Sequence, residues 1–373
     1  MCLPKKLIWI FGTMLVQNVS YSLIAPFLSL KLKELGMNET QTALVFCAYA
    51  AAVIIWSPII SDKLLPKFRA SRLIAVGMFM LGFANTLYGL VDFMPLSLTV
   101  WYCIVLRILS GMASSTVQTT CYAVGTNDFS DRKELVTGGV EVVTGLANII
   151  GPLFAAPLYQ YFGFAWCFVL CGTLFIVCSF VILVGFPTTD EMTDIDDNFE
   201  SFSQEYGTET EVRIGTLMKD PRFVMAAFGS SLSYFQFAFI EPILAPELAT
   251  NFGLSPIQIS RFFIVLPCFS IVSCTLAVTV LPKRIEKRAI IIVAAWCGTL
   301  GFLCLGPSKI LNFPDKVWLM AVGMAITGVF NPLAVICGLP EMVESAVPKY
   351  DKATRHRVTN LSSGIFNGML GFG

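Results

Sequence analysis

Charge is what this sequence has least of. Only 13% of its residues are Asp, Glu, Lys or Arg, about half of the roughly 25% that soluble domains carry. Acidic and basic residues number 25 each, so no basic excess points to a nucleic-acid partner. Twelve cysteines are present, but nearly all lie inside apolar runs, as Cys167, Cys171 and Cys178 do, and none falls in CxxC spacing. They read as packing residues rather than metal ligands or disulfides. The single histidine, His356, sits in a basic stretch and reads as solvated. No nucleophile–base constellation, phosphate loop or metal cluster stands out, so the chain reads as a non-enzyme without a cofactor. No cleavable signal peptide is expected. The apolar run after Lys5 and Lys6 continues to about Leu30, too long for a signal core.

What is present is hydrophobicity in fixed lengths. Residues are 55% hydrophobic, with mean hydropathy +0.73. Apolar runs of about 20 residues, enough to cross a bilayer, alternate with short polar connections. Spans are expected near 7–30, 41–61, 72–91, 98–120, 138–159, 164–186, 222–248, 259–281, 289–306 and 317–338, with an eleventh beginning near 358. One long polar segment, Pro187 to Asp220, is rich in Asp, Glu, Ser and Thr and reads as a flexible cytosolic linker. It divides the chain into a six-span half (1–186), a linker (187–220) and a second half (221–373) that ends within span 11. Sixteen lysines and arginines fall on the side of the N-terminus against four on the other, which predicts a cytosolic N-terminus.

The halves echo one another. Span 1 reads Ala25-Pro26-Phe27-Leu28, then Gly36 and a new span, and span 7 reads Glu241-Pro242-Ile243-Leu244, then Gly253 and a new span. Gly145 and Asn148 of span 5 match Gly364 and Asn367 of span 11. Agreement on one six-span offset is what two related halves leave behind.

Ionisable groups inside spans cost about 2.5–3.5 kcal/mol each on insertion scales, so the few present are candidates. Arg107 lies well inside span 4. It reads as a coupling residue that biases a neighbouring acid, or as half of a fixed ion pair. Glu141, near the start of span 5, is placed to partner Arg107, to sit in a cavity or to meet water. Glu241 is the sharpest candidate. Pro242 and Pro246 remove backbone donors beside it, which predicts a broken span 7 with freed carbonyls near a carboxylate. Phe237 and Tyr234, four and seven residues back, share its face and can stack on an ammonium group, or simply pack. Asp62-Lys63, followed by Lys67, Arg69 and Arg72, reads as a charge latch between spans 2 and 3. The 282–288 stretch lacks the aspartate, which predicts a one-sided latch. In span 5, Gly145, Gly151 and Pro152 sit among small residues, where a neighbouring helix packs closely or the span bends. Asn38-Glu-Thr40 is a glycosylation sequon close to the bilayer.

These motifs resemble those of the major facilitator superfamily. Gly151-Pro152 falls on its antiporter signature, with Ala147, Ala155 and Ala156 standing for glycines. Arg107 with Gly111 resembles its span-4 motif. Asp62-Lys63 resembles its loop motif, with Pro58 in place of glycine. Over nearly the whole chain the segments look like the vesicular amine transporter family, solute carrier family 18, nearest its polyamine-type branch. The matching stretches include Ala43–Phe46 with Tyr49, Val76–Phe79, Leu158–Gln160, Pro340-Glu341 and Ser363–Phe366. Glu241-Pro242 falls on the family's acid-proline pair. The resemblance implies an all-helical fold of two six-helix halves, the second incomplete, around a central site. It implies exchange of a proton for a small organic cation, in an intracellular vesicle or other endomembrane, or in the plasma membrane. Spans 1 and 10 and the visible part of span 11 hold no acid, which argues against monoamine and acetylcholine substrates. Two other readings stay open: export of drugs or other organic solutes, and a non-transporting membrane protein, because the family continues into another Gly-Pro and a twelfth span.

Overall fold

The computed structural model describes residues 4–187, 212–254, 258, 262, 264–280, 285–306, 313–314, 316–351 and 354–372. Among these residues the chain is all helix, with no strand. Eleven helices follow in order: α1 (Lys5–Glu34), α2 (Glu39–Ile59), α3 (Ala70–Tyr88), α4 (Leu96–Asp128), α5 (Lys133–Gly185), the short α6 (Ile214–Leu217), α7 (Pro221–Thr250), α8 (Val265–Val280), α9 (Lys287–Leu305), α10 (Val317–Ala346) and α11 (Arg355–Leu370). At Gly163 α5 turns over, with φ 80° and ψ 177°. This left-handed backbone suits glycine and makes α5 two successive spans, as the two apolar runs predict. Positive φ recurs at Gly36 (77°) and Gly253 (61°), the paired glycines after spans 1 and 7.

Large apolar side chains point outward, among them Trp101, Leu153, Val184 and Trp296. A belt of this kind is unfavourable in water and suits lipid. Seven segments are long and apolar enough to cross a membrane by length and composition. The polar α11 is not among them, and it is buried along almost all of residues Val358 to Leu370. A helix lodged inside a bundle meets protein rather than lipid, so it can afford Thr359, Asn360, Ser363 and Asn367. Backbones come close where side chains are smallest. A Cβ placed on Gly82 would lie 2.7 Å from the Gly172 carbonyl oxygen, and one on Gly301 would lie 3.1 Å from that of Gly323. Such approaches drive helix association where lipid removes the hydrophobic incentive.

Three expectations need correction. Helix α7 continues through Pro242 to Thr250 rather than breaking at Glu241, because a proline costs a membrane helix one ladder bond that its surroundings can absorb. Helix α10 runs to Ala346, past the expected end near 338, and so contains Glu341 and Glu344. Basic partners make those acids tolerable. Glu341 meets Arg222 Nε at 2.6 Å and Arg288 Nε at 3.1 Å, and Glu344 pairs with Lys287. His356 sits half-buried in the first turn of α11, its Nδ1 3.2 Å from Asn360 Nδ2, not free in solvent. The polar segment 188–211 lies outside the described residues. All described cysteines are free.

Candidate functional site

Helix α5 carries Glu141 eight residues from its start, about 12 Å along the axis. Its residue is only 6% exposed, so it does not sit at the water interface. It lines a cavity of about 70 Å³ where α5 faces α7, α8 and α10, with Asn148, Ser233, Tyr234, Ser270 and Asn331 among the wall residues. The Tyr234 hydroxyl on α7 donates to Glu141 Oε1 at 3.1 Å. Asn331 Nδ2 reaches the Ser233 carbonyl at 3.4 Å, while its Oδ1 is buried without a partner. Asn18 on α1 donates to Thr144 Oγ1 at 2.9 Å, bracing the wall behind the acid. The site is thus one carboxylate amid hydroxyls and amides, with Pro267, Pro332, Leu266 and Val335 as its apolar lining.

Helix packing fixes this geometry. A Cβ on Gly145 would come within 2.9 Å of the Ile271 side chain on α8. A Cβ on Gly151 would run into the Ser22 side chain on α1, whose hydroxyl donates to the Ala147 carbonyl at 2.9 Å. These two glycines hold α5 against one helix on either side. The side chain of Pro152 lies outside the described residues.

Tyr234 was expected on the face of Glu241, yet it engages Glu141 instead. The side chains of Phe237, Glu241 and Pro242 lie outside the described residues. Glu141 and Arg107 do not pair. Arg107 is 1% exposed and its three guanidinium nitrogens have no hydrogen-bond partner. Its Cζ lies 4.3 Å from the Phe46 ring centroid and 5.7 Å from that of Tyr49. Asn331 and Ser270 were missed by sequence reasoning, and Asn148 was noted only for its place in the internal repeat. Each is a lone polar residue within an apolar span, a signal too common to single them out.

The two halves close on each other at the end of the bundle where α1 begins. Asp62 Oδ1 is 3.6 Å from Arg357 Nη2, and Lys63 beside it is exposed. Lys287, in the corresponding turn of the second half, reaches back to Glu134 at 2.5 Å. Cross-half ion pairs therefore come from both loops with the charges exchanged, not from one loop as the missing aspartate predicted. Between them, Asn127 donates to Asn360 Oδ1 at 2.7 Å, and Thr137 Oγ1 donates to the Ile336 carbonyl at 2.9 Å. Asn367 Nδ2 approaches Ser57 Oγ at 3.0 Å and Thr119 Oγ1 at 3.1 Å. Within the halves a second correspondence holds: Lys6 pairs with Asp128 as Arg222 does with Glu341. Asn38 is exposed and caps α2, its Oδ1 accepting from the Gln41 amide at 2.8 Å.

The profile of the Major Facilitator Superfamily matches residues 10–373. The chain is 24% identical over 359 residues to the rat (Rattus norvegicus) MFS-type transporter SLC18B1, covering 95% of this chain and 74% of the relative. It is 22% identical over 237 residues to the multidrug resistance protein MdtG of Proteus mirabilis, covering 61% and 53%. Among solved structures it resembles the human organic anion transporter MFSD10, with TM-score 0.68 at 13% identity over 100% of this chain and 92% of that one. It also resembles the proton:xylose symporter XylE, with TM-score 0.66 at 14% identity over 98% and 86%. At such identities the likeness to the solved structures speaks for the fold alone.

Proposed function

We propose that this chain, which belongs to the Major Facilitator Superfamily, exchanges protons for a small organic cation of the polyamine or amine class. Membership makes it a multi-pass membrane protein and a transporter of small solutes. The cation and the proton are inferred from the site. One observation carries the reading: a buried carboxylate, Glu141, lines a polar cavity where the two halves meet and is held by a residue of the opposite half. An ionised acid in such a place costs free energy unless it is paired, and two positively charged partners can pair with it, a proton or an ammonium group. Competition between them for one group makes exchange obligatory. The deprotonated acid binds the amine, and protonation releases it.

The resemblance to solute carrier family 18 supports this reading, as does the similarity to SLC18B1. Glu241 is proposed as a second acid on the solute's route, with Phe237 beside it. With the basic loops proposed to face the cytosol, the end of the bundle where the two halves meet is read as the cytosolic one. Asp62 and Lys287 act as the latches that open when the halves rock, and an endomembrane vesicle is the proposed residence. Asn38 is then a lumenal glycosylation candidate.

A second reading, export of varied organic solutes, is favoured by the similarity to proteins named as multidrug carriers. Uptake into liposomes holding an acid interior separates the two. Accumulation of labelled spermidine or spermine that collapses with the pH gradient supports amine exchange. No such accumulation, with efflux of unrelated lipophilic solutes, overturns it in favour of the export reading.

A further inference from the structure

His356, the single histidine of the chain, stands half-buried in the first turn of α11, where the two halves meet. Its Nδ1 lies 3.2 Å from Asn360 Nδ2, one turn along the same helix. Asn360 also faces α4, where Asn127 Nδ2 donates to its Oδ1 at 2.7 Å. That same Asn127 nitrogen donates to the Ala123 carbonyl at 2.8 Å. His356, Asn360, Asn127 and Asp128 line one small cavity.

This chain of bonds fixes the protonation of the ring. A backbone carbonyl only accepts, so the Asn127 atom beside Ala123 is its amide nitrogen, and both protons of that nitrogen are engaged. The Asn360 atom that meets it is therefore oxygen, and the Asn360 atom turned to His356 is nitrogen. An amide nitrogen only donates, so His356 Nδ1 accepts and the neutral ring carries its proton on Nε2. A proton added to Nδ1 sets two donors against each other. Asn360 relieves the clash by turning its amide over, which presents its nitrogen to that of Asn127. Asn127 cannot turn in answer without leaving the Ala123 carbonyl. The bond between the halves is then lost.

Charges on the elements around α11 offer an imidazolium little. Asp128 of α4 lines the cavity with the ring but is already paired with Lys6 of α1. Asp62, just past α2, faces Arg357 at 3.6 Å, with Lys63 exposed beside it. Glu341 of α10 meets Arg222 of α7 and Arg288, Glu344 pairs with Lys287, and Lys349 pairs with Asp220. Arg355 and Arg357 flank the histidine in sequence, and their like charge opposes its protonation.

We infer that His356 is an acid-sensitive switch on this face: protonation breaks the Asn127–Asn360 bridge and lets the two halves part there. The arrangement open at this face binds the proton better than the closed one, so falling pH shifts the population toward it. On the orientation proposed above, the switch reads cytosolic acid, apart from the proton that Glu141 is proposed to exchange. It needs only that this face opens, whatever the solute.

The test is labelling of a cysteine placed at buried Ser363 by a water-soluble maleimide, in lipid nanodiscs without solute and with the native cysteines replaced. Rates are taken at about pH 7.5 and about pH 5.5, on either side of the ordinary histidine range. Each is divided by the rate for the same reporter in His356→Asn, which offers an oxygen near the place of Nδ1 and does not titrate. The division removes the response of the thiol and of the other titrating groups. Loss of one neutral hydrogen bond corresponds to about a fivefold shift, so the ratio should rise about fivefold on acidification. Asn127→Ala removes the bridge, and with it labelling should be fast at both pH values and the ratio flat. A ratio that stays flat with Asn127 in place overturns the proposal, as does one that falls on acidification. A rise that persists in Asn127→Ala overturns the route through the bridge.

Discussion

The Tyr234 hydroxyl on α7 donates to the Glu141 carboxylate on α5 across 3.1 Å, joining helices of opposite halves at the wall of one cavity. The bond orients the acid and ties it to the interface that parts in the exchange proposed above. A change in what the acid holds therefore bears directly on how firmly the halves adhere.

Tyr234→Phe keeps the ring and removes the donor. A hydrogen bond to a charged group is worth about 1.5–3 kcal/mol. Gradient-driven amine uptake should fall about tenfold or more while the protein still folds and inserts. Initial uptake rates at matched protein density check this, and an unchanged rate would remove Tyr234 from the site.

The closed face should be separable by its polar bridges. Asn127 and Asn360 face each other across the halves. In a variant with the native cysteines replaced, Asn127→Cys with Asn360→Cys should be joined by a short bifunctional thiol reagent. Uptake should stop on linking and return on reduction. Transport that continues in the linked protein would mean that this face does not open.

Asp62→Asn combined with Lys287→Gln removes both cross-half ion pairs seen there. The partly exposed Asp62–Arg357 pair is of the kind worth about 0.2–1 kcal/mol, whereas the Lys287–Glu134 pair is largely buried. The expected result is a two- to tenfold shift of population toward the state open at this face. Reactivity of a cysteine placed at buried Ser363 with a water-soluble maleimide reports it.

Gly151→Val drives a branched side chain into Ser22 of α1, which a Cβ alone would already strike. Overpacking of this kind costs about 1–3 kcal/mol. A lower unfolding midpoint is expected, whereas the same change at Gly215, which has open space around it, should be close to neutral.

Span positions were legible because lipid enforces a length and a composition on each run, and the turns at Gly36 and Gly253 because positive φ selects glycine. Helix ends were less so. Glu341 and Glu344 read as loop, since the arginines and lysine that neutralise them lie about 55 to 120 residues away in sequence. Helix α11, expected as an eleventh span from about 358, carries more polar residues than the others because its neighbours shield it from lipid. The site was half legible. Glu141 and Tyr234 both stood out as polar residues within spans, but their pairing joins positions 93 residues apart. Periodicity along one helix tied Tyr234 to Glu241 instead. Asn331 gave no warning at all.

Uptake of labelled spermidine by proteoliposomes carrying Glu141→Gln tests the central claim most directly, because the amide keeps the acid's shape and cannot titrate. Two readouts are taken: accumulation driven by an acid interior, and exchange of labelled for unlabelled amine without a gradient. The account predicts that gradient-driven accumulation is abolished in Glu141→Gln and retained in wild type, with Glu241→Gln run in parallel for the second proposed acid. Full gradient-driven accumulation in Glu141→Gln would contradict it.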